Sequence, residues 1–138
     1  MTPPSHLRAF LTPRSVALVG IPGDSASPLA RPLRALRRFG FPGSIFPVNP
    51  KYTELDGLKC YPRLRDLPEP VEMAWISVPA FRVTEVLEEC VALKIRSLVI
   101  ATAGFAETGA EGALSQSALS QRAREAGITL LGPNSIGF

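Results

Sequence analysis

The fold is decided by residues 16–20, Val-Ala-Leu-Val-Gly, and by the loop after them, residues 21–28, Ile-Pro-Gly-Asp-Ser-Ala-Ser-Pro. A short apolar run without polar alternation is typical of a parallel strand that is buried on both faces. Ser27 is a good helix N-cap and Pro28 suits the first helical position, so a helix is expected to follow the loop. The pattern predicts the first strand, loop and helix of a nucleotide-binding βαβ unit.

Four more apolar runs and three helical patterns continue this alternation. The runs are residues 45–48, 73–78, 98–100 and 128–131. The helical patterns are the stripe Leu29, Leu33 and Leu36, the stripe Val83, Val86, Leu87 and Cys90, with Glu85, Glu88 and Glu89 expected to face out, and residues 111–126, ended by Gly127. Such alternation predicts an α/β fold, a Rossmann-like, doubly wound parallel sheet of about five strands with helices on both faces.

Residues 51–70 interrupt the alternation. They contain three prolines and no extended periodic pattern. We expect an irregular connection with at most a short helix at residues 64–67. Trp75 lies in the middle of the third predicted strand and is expected to be a core residue.

The composition is that of one ordinary globular domain. The 138 residues are 46% hydrophobic and 20% charged, with no apolar run near the roughly 18 residues of a membrane span. Cys60 and Cys90 lack metal-ligand spacing and, with no signal peptide in view, are expected to be reduced thiols of a cytoplasmic protein. The arginines of residues 31–38 have no interleaved aromatic residues and form no nucleic-acid-binding motif. We expect one domain over residues 1–138, with residues 1–12 as a loose arm or short helix, that binds neither nucleic acid nor membrane.

Small residues and turn formers follow all five predicted strands, at the edge where parallel sheets bind their ligands. After the first strand, the helix start is expected to point free N–H groups and its positive dipole end at a diphosphate. Ser25 and Ser27 add hydroxyl donors, and Arg31 lies one turn into the helix. Asp24 is unfavourable beside a diphosphate unless it points to solvent. The loop is neither a strict Gly-x-Gly-x-x-Gly motif nor a P-loop, so it does not identify the nucleotide alone.

The second run ends in Val48-Asn49-Pro50-Lys51. Dinucleotide-binding units carry an acidic residue at this point, which accepts hydrogen bonds from the ribose 2′-OH. Here an amide, a rigid proline and a cation take that place, and a cation favours a phosphate on the ribose. The segment therefore predicts a phosphorylated nucleotide and leaves open which one.

Residues suited to catalysis are scarce. The sole histidine, His6, lies in the N-terminal arm and is expected to be incidental. The sequence has no nucleophile elbow, metal cluster or carboxylate pair. Ser135 and Glu107 fall near the predicted ligand edge without an evident partner, and Glu107 is expected to support the turn at residues 108–109. We therefore predict no catalytic and no metal-binding residue.

Five motifs in this order resemble one family. They are Val16-Ala17-Leu18-Val19-Gly20, Pro47-Val48-Asn49-Pro50-Lys51, Val78-Pro79-Ala80, Ala103-Gly104-Phe105-Ala106-Glu107-Thr108-Gly109 and Leu131-Gly132-Pro133-Asn134. Over residues 10–138 the chain resembles the CoA-binding domain of the NDP-forming acyl-CoA synthetases, which is similar to the first domain of the succinyl-CoA synthetase α subunit. The resemblance implies a five-stranded Rossmann-like fold that binds coenzyme A or an acyl-CoA.

The resemblance also implies positions for the parts of the ligand. The loop at residues 20–27 would hold phosphates, Lys51 would lie at the 3′-phosphate, and residues 132–134 would border the thiol end. Residues 78–80 and 101–103 would line the path of the nucleotide and pantetheine. The residues expected to bind the cofactor are Gly20, Ile21, Pro22, Ser25, Ser27, Arg31, Asn49, Pro50, Lys51, Val78, Pro79, Ala80, Ala101, Thr102, Ala103, Gly104 and Asn134.

The chain departs from the family at a few positions. Many members have Gly-Ala-Ser where residues 20–22 are Gly-Ile-Pro, Ala30 replaces a common glycine, and Ser135 replaces a common cysteine. The phosphorylated histidine and the ATP-grasp domain of the family lie in further domains or subunits, which are the expected partners. This chain, a fragment of a longer enzyme or a stand-alone module, is therefore not expected to catalyse ligation alone. The parent activity would be that of an ADP-forming acid–thiol ligase or of a protein acetyltransferase.

Two other hypotheses stay open. Lys51 would also suit the 2′-phosphate of NADP in an oxidoreductase or redox-sensing Rossmann domain, although no substrate domain or catalytic residue supports this. An interaction protein that has kept the fold and lost the ligand is the other. Relative affinities for CoA, dephospho-CoA, NADP and NAD separate the three.

Overall fold

The computed structural model describes residues 4–135, apart from the side chains of Ser5 and His6. The expectation that His6 is incidental therefore lies outside the described part. In chain order the strands are β1 (Ser15–Val19), β2 (Ser44–Val48), β3 (Glu54–Leu55), β4 (Leu58–Lys59), β5 (Met73–Ile76), β6 (Ser97–Ile100) and β7 (Thr129–Leu131). The helices are α1 (Ser5–Leu11), α2 (Arg31–Arg38), α3 (Ala80–Ala92) and α4 (Ala110–Glu125). Short 3₁₀ turns lie at Pro28–Ala30, Leu64–Asp66 and Ala106–Thr108.

Five strands form one parallel sheet in the order β2-β1-β5-β6-β7. Val19 at the end of β1 lies opposite Val48 of β2 on one side and opposite Ile76 of β5 on the other. From β1 the chain goes first to β2 on one side, and then crosses back to β5 on the other side of β1. Such a reversal opens a crevice at the carboxyl ends of the two strands beside it, here β1 and β5. The predicted fold class is confirmed.

Helices cover both faces of the sheet. Alternate residues of β1 accordingly point into two separate cores. Ala17 belongs to a core that includes Leu87 of α3 and Leu119 of α4. Leu18 belongs to the other core, with Leu33 of α2. The continuous apolar run of β1 is thus explained by burial on both sides.

The sheet edges depart from the predicted burial. β1 and β6 are buried throughout, as expected. Most residues of β2 and all of β7 are half-buried, because these strands lie at the two edges of the five-stranded sheet. The end of β2 has a further neighbour, since Val48 forms a parallel bridge with Tyr61. The third predicted strand is also shorter than expected and ends at Ile76, before Ser77.

Residues 51–70 are more ordered than predicted. Strands β3 and β4 pair in antiparallel fashion, with Leu55 opposite Leu58. Asp56 and Gly57 between them have φ of 51° and 77°. This is the geometry that an Asp-Gly hairpin turn requires. The prediction missed the hairpin because strands of two residues show no periodicity, whereas the expected short helix is present as the 3₁₀ turn Leu64–Asp66.

Of the two expectations for the N-terminal arm, the short helix is correct. Phe10 of α1 is buried. The carboxylate of Glu72 accepts a hydrogen bond from Nη2 of Arg8 at 3.0 Å and from the backbone N–H of Arg14 at 2.8 Å. These contacts fix α1 beside the start of the sheet. Among residues 4–135, no helix is long and apolar enough to cross a membrane.

The two cores predict a sharp contrast within α4. Leu119 is 3% exposed and Leu114 is 73% exposed. Leu119→Ala should lower the free energy of unfolding by about 2–5 kcal/mol, because it removes packed methyl groups and leaves a cavity. Leu114→Ala, the same change on the same helix, should stay within about 0.5 kcal/mol of the parent. Urea unfolding followed by circular dichroism measures both, and equal losses would contradict the packing described for α4.

Candidate functional site

A cleft of about 640 Å³ lies at the carboxyl edge of the sheet. Loops after β1, β2, β5 and β6 form its rim, residues 62–64 close one side, and one face of α3 forms a wall. Ten of the predicted cofactor-binding residues line it: Gly20, Pro22, Asn49, Pro50, Lys51, Val78, Pro79, Ala101, Thr102 and Ala103. The structure thus brings together residues that are up to 83 positions apart in the sequence (from Gly20 to Ala103).

Gly20 lets the chain leave β1 over the sheet edge. Its φ is +89°, and a Cβ at this position would lie 2.9 Å from the carbonyl carbon of Ser77. Its N–H donates to the carbonyl of Val48 at 2.9 Å. A side chain here would therefore be both strained and obstructed. Ile21, the next residue, is fully buried and does not line the cleft, so its predicted ligand contact is restricted to its backbone.

The loop at residues 23–27 is held by its own polar groups. Oδ1 of Asp24 accepts the N–H of Ala26 at 2.9 Å, which turns this carboxylate oxygen into the loop. Oγ of Ser27 accepts the N–H of Leu29 at 3.2 Å, as predicted for an N-cap. The cap opens a 3₁₀ turn, Pro28–Ala30, that continues into α2. The hydroxyl of Ser27 is thus committed to the helix start.

Arg34, on the helix that follows, holds this loop through its guanidinium group. This role was not predicted from the sequence. Its Nη1 donates to the carbonyls of Ser25 and Ser27, the latter at 2.9 Å. With these two carbonyls turned toward α2, the N–H groups of Gly23, Asp24 and Ser25 have no acceptor among the described residues. Three successive unsatisfied N–H groups form a surface suited to an anion.

Asn49 joins the first and second loops. Its Nδ2 donates to the carbonyl of Ile21 at 3.0 Å, and its Oδ1 accepts the N–H of Lys51 at 3.0 Å. Its backbone N–H donates to the carbonyl of Tyr61 at 2.9 Å. The amide is therefore engaged in holding backbone rather than free for a ligand. The ammonium of Lys51 is exposed and has no partner within the described part of the chain.

Tyr52, another residue not singled out from the sequence, closes the same corner. A Cβ on Gly23 would lie 2.5 Å from Cε1 of its ring. The tyrosine thus packs directly on the first loop, and the glycine is needed for that approach. The sequence signal that could have indicated this contact is the aromatic residue directly after the strand-ending Asn-Pro-Lys.

Thr102 fixes the part of the cleft rim that follows β6. Its hydroxyl donates to the carbonyl of Val78 at 2.6 Å, which ties the loop after β6 to the loop after β5. Its own carbonyl accepts the N–H of Asn134 at 2.9 Å. Asn134 is exposed, has φ of +57° and does not line the cleft.

One face of α3 forms the cleft wall, and one of its residues, Glu89, departs from the predicted orientation. Arg82, Val86 and Glu89 follow one another at helical spacing along this wall. Glu89 was expected to face out with Glu85 and Glu88. Its Oε2 is instead buried, with no hydrogen-bond partner among the described residues.

A second, largely apolar groove of about 510 Å³ lies on the α2 side of the same edge. Trp75 lines it and is half-buried rather than a full core residue. Arg31 and Ser135 also line this groove and not the cleft. The cleft and the groove share Leu29, Ser77 and Ala101, so they meet at the sheet edge. Of the other predicted residues, Ser25, Ser27, Ala80 and Gly104 line neither hollow.

Glu107 supports the loop after β6 at residues 104–105, and not the turn at residues 108–109 where its role was expected. It accepts hydrogen bonds from the N–H groups of Gly104 and Phe105, the second at 3.0 Å. These two backbone donors, Gly104 first, lower the pKa of the Glu107 carboxyl. The N–H of Gly104 is therefore occupied, and its predicted ligand contact is not a free donor.

Neither cysteine has the surroundings of a reactive thiol. Burial raises the pKa of Cys60, and burial together with the nearby charge of Glu89 raises the pKa of Cys90 to about 12. Thiols that react as nucleophiles have lowered values instead. Within residues 4–135, no group of three His, Cys, Asp or Glu side chains is arranged to hold a metal ion.

Comparison with known proteins gives one consistent family. The sequence profile of the CoA binding domain family matches residues 14–138. The chain is 40% identical over 131 residues to an ADP-forming acetate–CoA ligase II of Archaeoglobus fulgidus, covering 95% of this chain and 20% of the relative. It is 34% identical to the α subunit of an ADP-forming acetate–CoA ligase II of Pyrococcus furiosus, covering 94% of this chain and 28% of that subunit.

A solved structure has the same architecture. It is the dinucleotide forming acetyl-coenzyme A synthetase 1 of Ca. Korarchaeum cryptofilum in its apo form, with a TM-score of 0.88 and 37% identity. The superposition covers 95% of this chain and 28% of that protein. The chain therefore spans between a fifth and a third of the length of these relatives.

The contacts of Glu107 predict a pH-dependent contribution to stability. Because its folded-state pKa is lowered, the contribution is complete above the ordinary glutamate value of about 4.3 and is lost as the pH falls through the folded-state value. Glu107→Gln should therefore be less stable than the parent at pH 6, with a difference that shrinks toward pH 3. Urea unfolding at several pH values measures this. A difference that does not change with pH would show that the charge of Glu107 plays no part.

Proposed function

Since this chain belongs to the CoA-binding domain family, we propose that its cleft holds the adenosine 3′-phosphate end of coenzyme A. The observation that carries the proposal is the unpartnered ammonium of Lys51 at the mouth of the cleft, beside a β2 end without an acidic residue. A cation there favours a ribose phosphate, whereas a bare ribose diol would need an acceptor. CoA, with its 3′-phosphate, meets this requirement.

The diphosphate of CoA would lie over the loop after β1. The free N–H groups of residues 23–25 and the start of the helix beyond Ser27 supply donors and a positive dipole end. Asp24 keeps its charge, and its Oδ1 is held in the loop by the N–H of Ala26 rather than being free to meet the ligand. Arg34 contributes indirectly, by holding the carbonyls of the loop away from the ligand.

The pantetheine arm would leave the cleft past the shared residues Ser77 and Ala101. It would run toward Ser135 at the rim of the apolar groove, with Asn134 near the thiol end. The same path would hold the acyl chain of an acyl-CoA. Residues 101–103 supply small side chains along this rim, which lets an extended chain approach the backbone closely.

The whole protein would act as an ADP-forming acyl-CoA synthetase, by analogy with the relatives named above. The complete reaction would convert an acyl-CoA, ADP and phosphate to the free acid, CoA and ATP. Residues 1–138 would form the CoA-binding domain of such an enzyme. A nucleotide-binding partner domain or subunit of the ATP-grasp type would complete it in the cytoplasm.

The first test is a comparison of ligands by isothermal titration calorimetry. We expect CoA to bind best, dephospho-CoA to bind more weakly, and NADP and NAD to bind weakest. A preference for NADP over CoA would overturn the proposal in favour of an oxidoreductase-type domain. Absence of binding to all four would favour a protein that has kept the fold without the ligand.

The second test concerns Lys51. Lys51→Ala should weaken CoA binding by about 10- to 100-fold, as expected for loss of a charge-assisted contact. Binding of dephospho-CoA should change by less than about threefold. Lys59→Ala is the matched control, because Lys59 is exposed on β4, lies 5.1 Å from the centre of the Tyr61 ring and does not line the cleft. Equal losses for CoA and dephospho-CoA would remove Lys51 from the 3′-phosphate.

A further inference from the structure

Arg63 reaches the cleft at the same corner as Lys51. At the end of β2, Val48 forms a parallel bridge with Tyr61, and the N–H of Asn49 donates to the carbonyl of Tyr61 at 2.9 Å. Because parallel segments run in the same direction, the chain continues from the bridge side by side on both segments. Arg63 lies two residues beyond the bridge on one segment, and Lys51 lies three residues beyond it on the other. Both residues line the cleft.

The guanidinium group of Arg63 is only partly engaged by the protein. Its Nε donates to Oδ2 of Asp66 at 3.3 Å, and both side chains are partly exposed. Within residues 4–135, neither Nη group of Arg63 has a hydrogen-bond or ion-pair partner. An exposed pair of this kind contributes little to stability and opens at small cost. The four N–H donors of the two Nη groups are therefore available to a ligand.

The charges at this corner suit a phosphate monoester. No acidic residue lines the cleft from the loops after β1 and β2 or from residues 62–64. At neutral pH a phosphate monoester carries nearly two negative charges and three acceptor oxygens, so one ammonium balances only part of its charge. Each phosphate of the CoA diphosphate is linked on two sides and carries a single charge. A pair of neighbouring cations thus matches the 3′-phosphate better than the diphosphate.

We infer that Arg63 is the second cation for the 3′-phosphate of CoA, which it shares with Lys51. The inference rests on the proposed binding of CoA and goes beyond it by assigning a second residue to this phosphate. Arg63 would turn its Nη groups from Asp66 to two phosphate oxygens, in the paired geometry that a guanidinium group favours. Arg63 is then a specificity-determining residue, which favours a phosphate over a hydroxyl at this point of the ribose.

The test is the ratio of the affinities for CoA and dephospho-CoA in the parent and in Arg63→Gln. The two ligands differ only in the 3′-phosphate, so their other contacts cancel in the ratio. Arg63→Gln should lower the ratio about 5- to 30-fold, because CoA loses a charge-assisted contact at a solvent-exposed corner. Binding of dephospho-CoA should change by less than about threefold. Isothermal titration calorimetry measures both ligands.

Three further variants separate a phosphate contact from a structural role. Arg65→Gln is the matched control, because Arg65 is exposed on the same 3₁₀ turn and does not line the cleft, and it should keep the parent ratio. Asp66→Asn breaks the same ion pair but leaves Arg63 in place, so it should also keep the ratio. Arg63→Lys should retain part of the ratio, since it keeps the charge and loses the planar fork. Circular dichroism and thermal unfolding establish that each variant is folded.

The outcomes distinguish this inference from the proposed function. If Lys51→Ala loses the preference for CoA and Arg63→Gln keeps it, the role of Arg63 is overturned and CoA binding stands. An equal weakening of both ligands in Arg63→Gln, or the same fall of the ratio in Asp66→Asn, would reduce Arg63 to a structural residue. If the parent does not prefer CoA to dephospho-CoA, the proposed function fails and the assignment of Arg63 fails with it.

Discussion

The hydrogen bonding of β1 to a neighbour on each side holds the ligand edge of this domain in place. The last bonds of these two pairings are those of the Gly20 N–H to the Val48 carbonyl and of the Ser77 N–H to the Val19 carbonyl, both 2.9 Å. They keep three strand ends level. The positive φ of Gly20 then lets the chain pass within contact distance of the Ser77 backbone. Because these strands end at the same level, the loops that follow them lie side by side and line one cleft.

Several polar side chains at this edge hold the protein rather than a ligand. Both ends of the Asn49 amide bind backbone, Arg34 binds the carbonyls of the first loop, and Thr102 binds the carbonyl of Val78. Their satisfied bonds fix the loops before any ligand arrives, which lowers the ordering cost of binding. The groups left for a ligand are backbone N–H groups and a few charged side chains. This division explains why a site rich in predicted contacts contains few free side-chain donors.

The sequence predicted the strands, the sheet class and the position of the ligand edge. A parallel strand that is buried on both faces requires a continuous apolar run, such as residues 16–19. The rule for ligands of open sheets then assigned the edge. The roles of Arg34 and Glu89 were not predictable in this way. Arg34 depends on a loop that folds back onto its own helix. Glu89 lines the same cleft as residues 62–64, which belong to the aperiodic connection whose hairpin was also missed. Ser25, Ser27, Ala80 and Gly104 were placed correctly near the edge, but no periodicity reveals which loop residues line a hollow.

Two ion pairs at the cleft can rearrange readily, and this affects which ligand groups the cleft can attract. The pairs Arg82–Glu85 and Arg63–Asp66 are long and largely exposed, and exposed pairs contribute little. Both arginines are therefore free to turn toward a phosphate at small cost. NADP also carries a ribose phosphate, so a cation at this point would not by itself separate NADP from CoA. In the function proposed above, that distinction would fall to the position of the phosphate on the ribose and to the crossing at Ser77 and Ala101, where small side chains suit a thin, acyclic chain such as pantetheine.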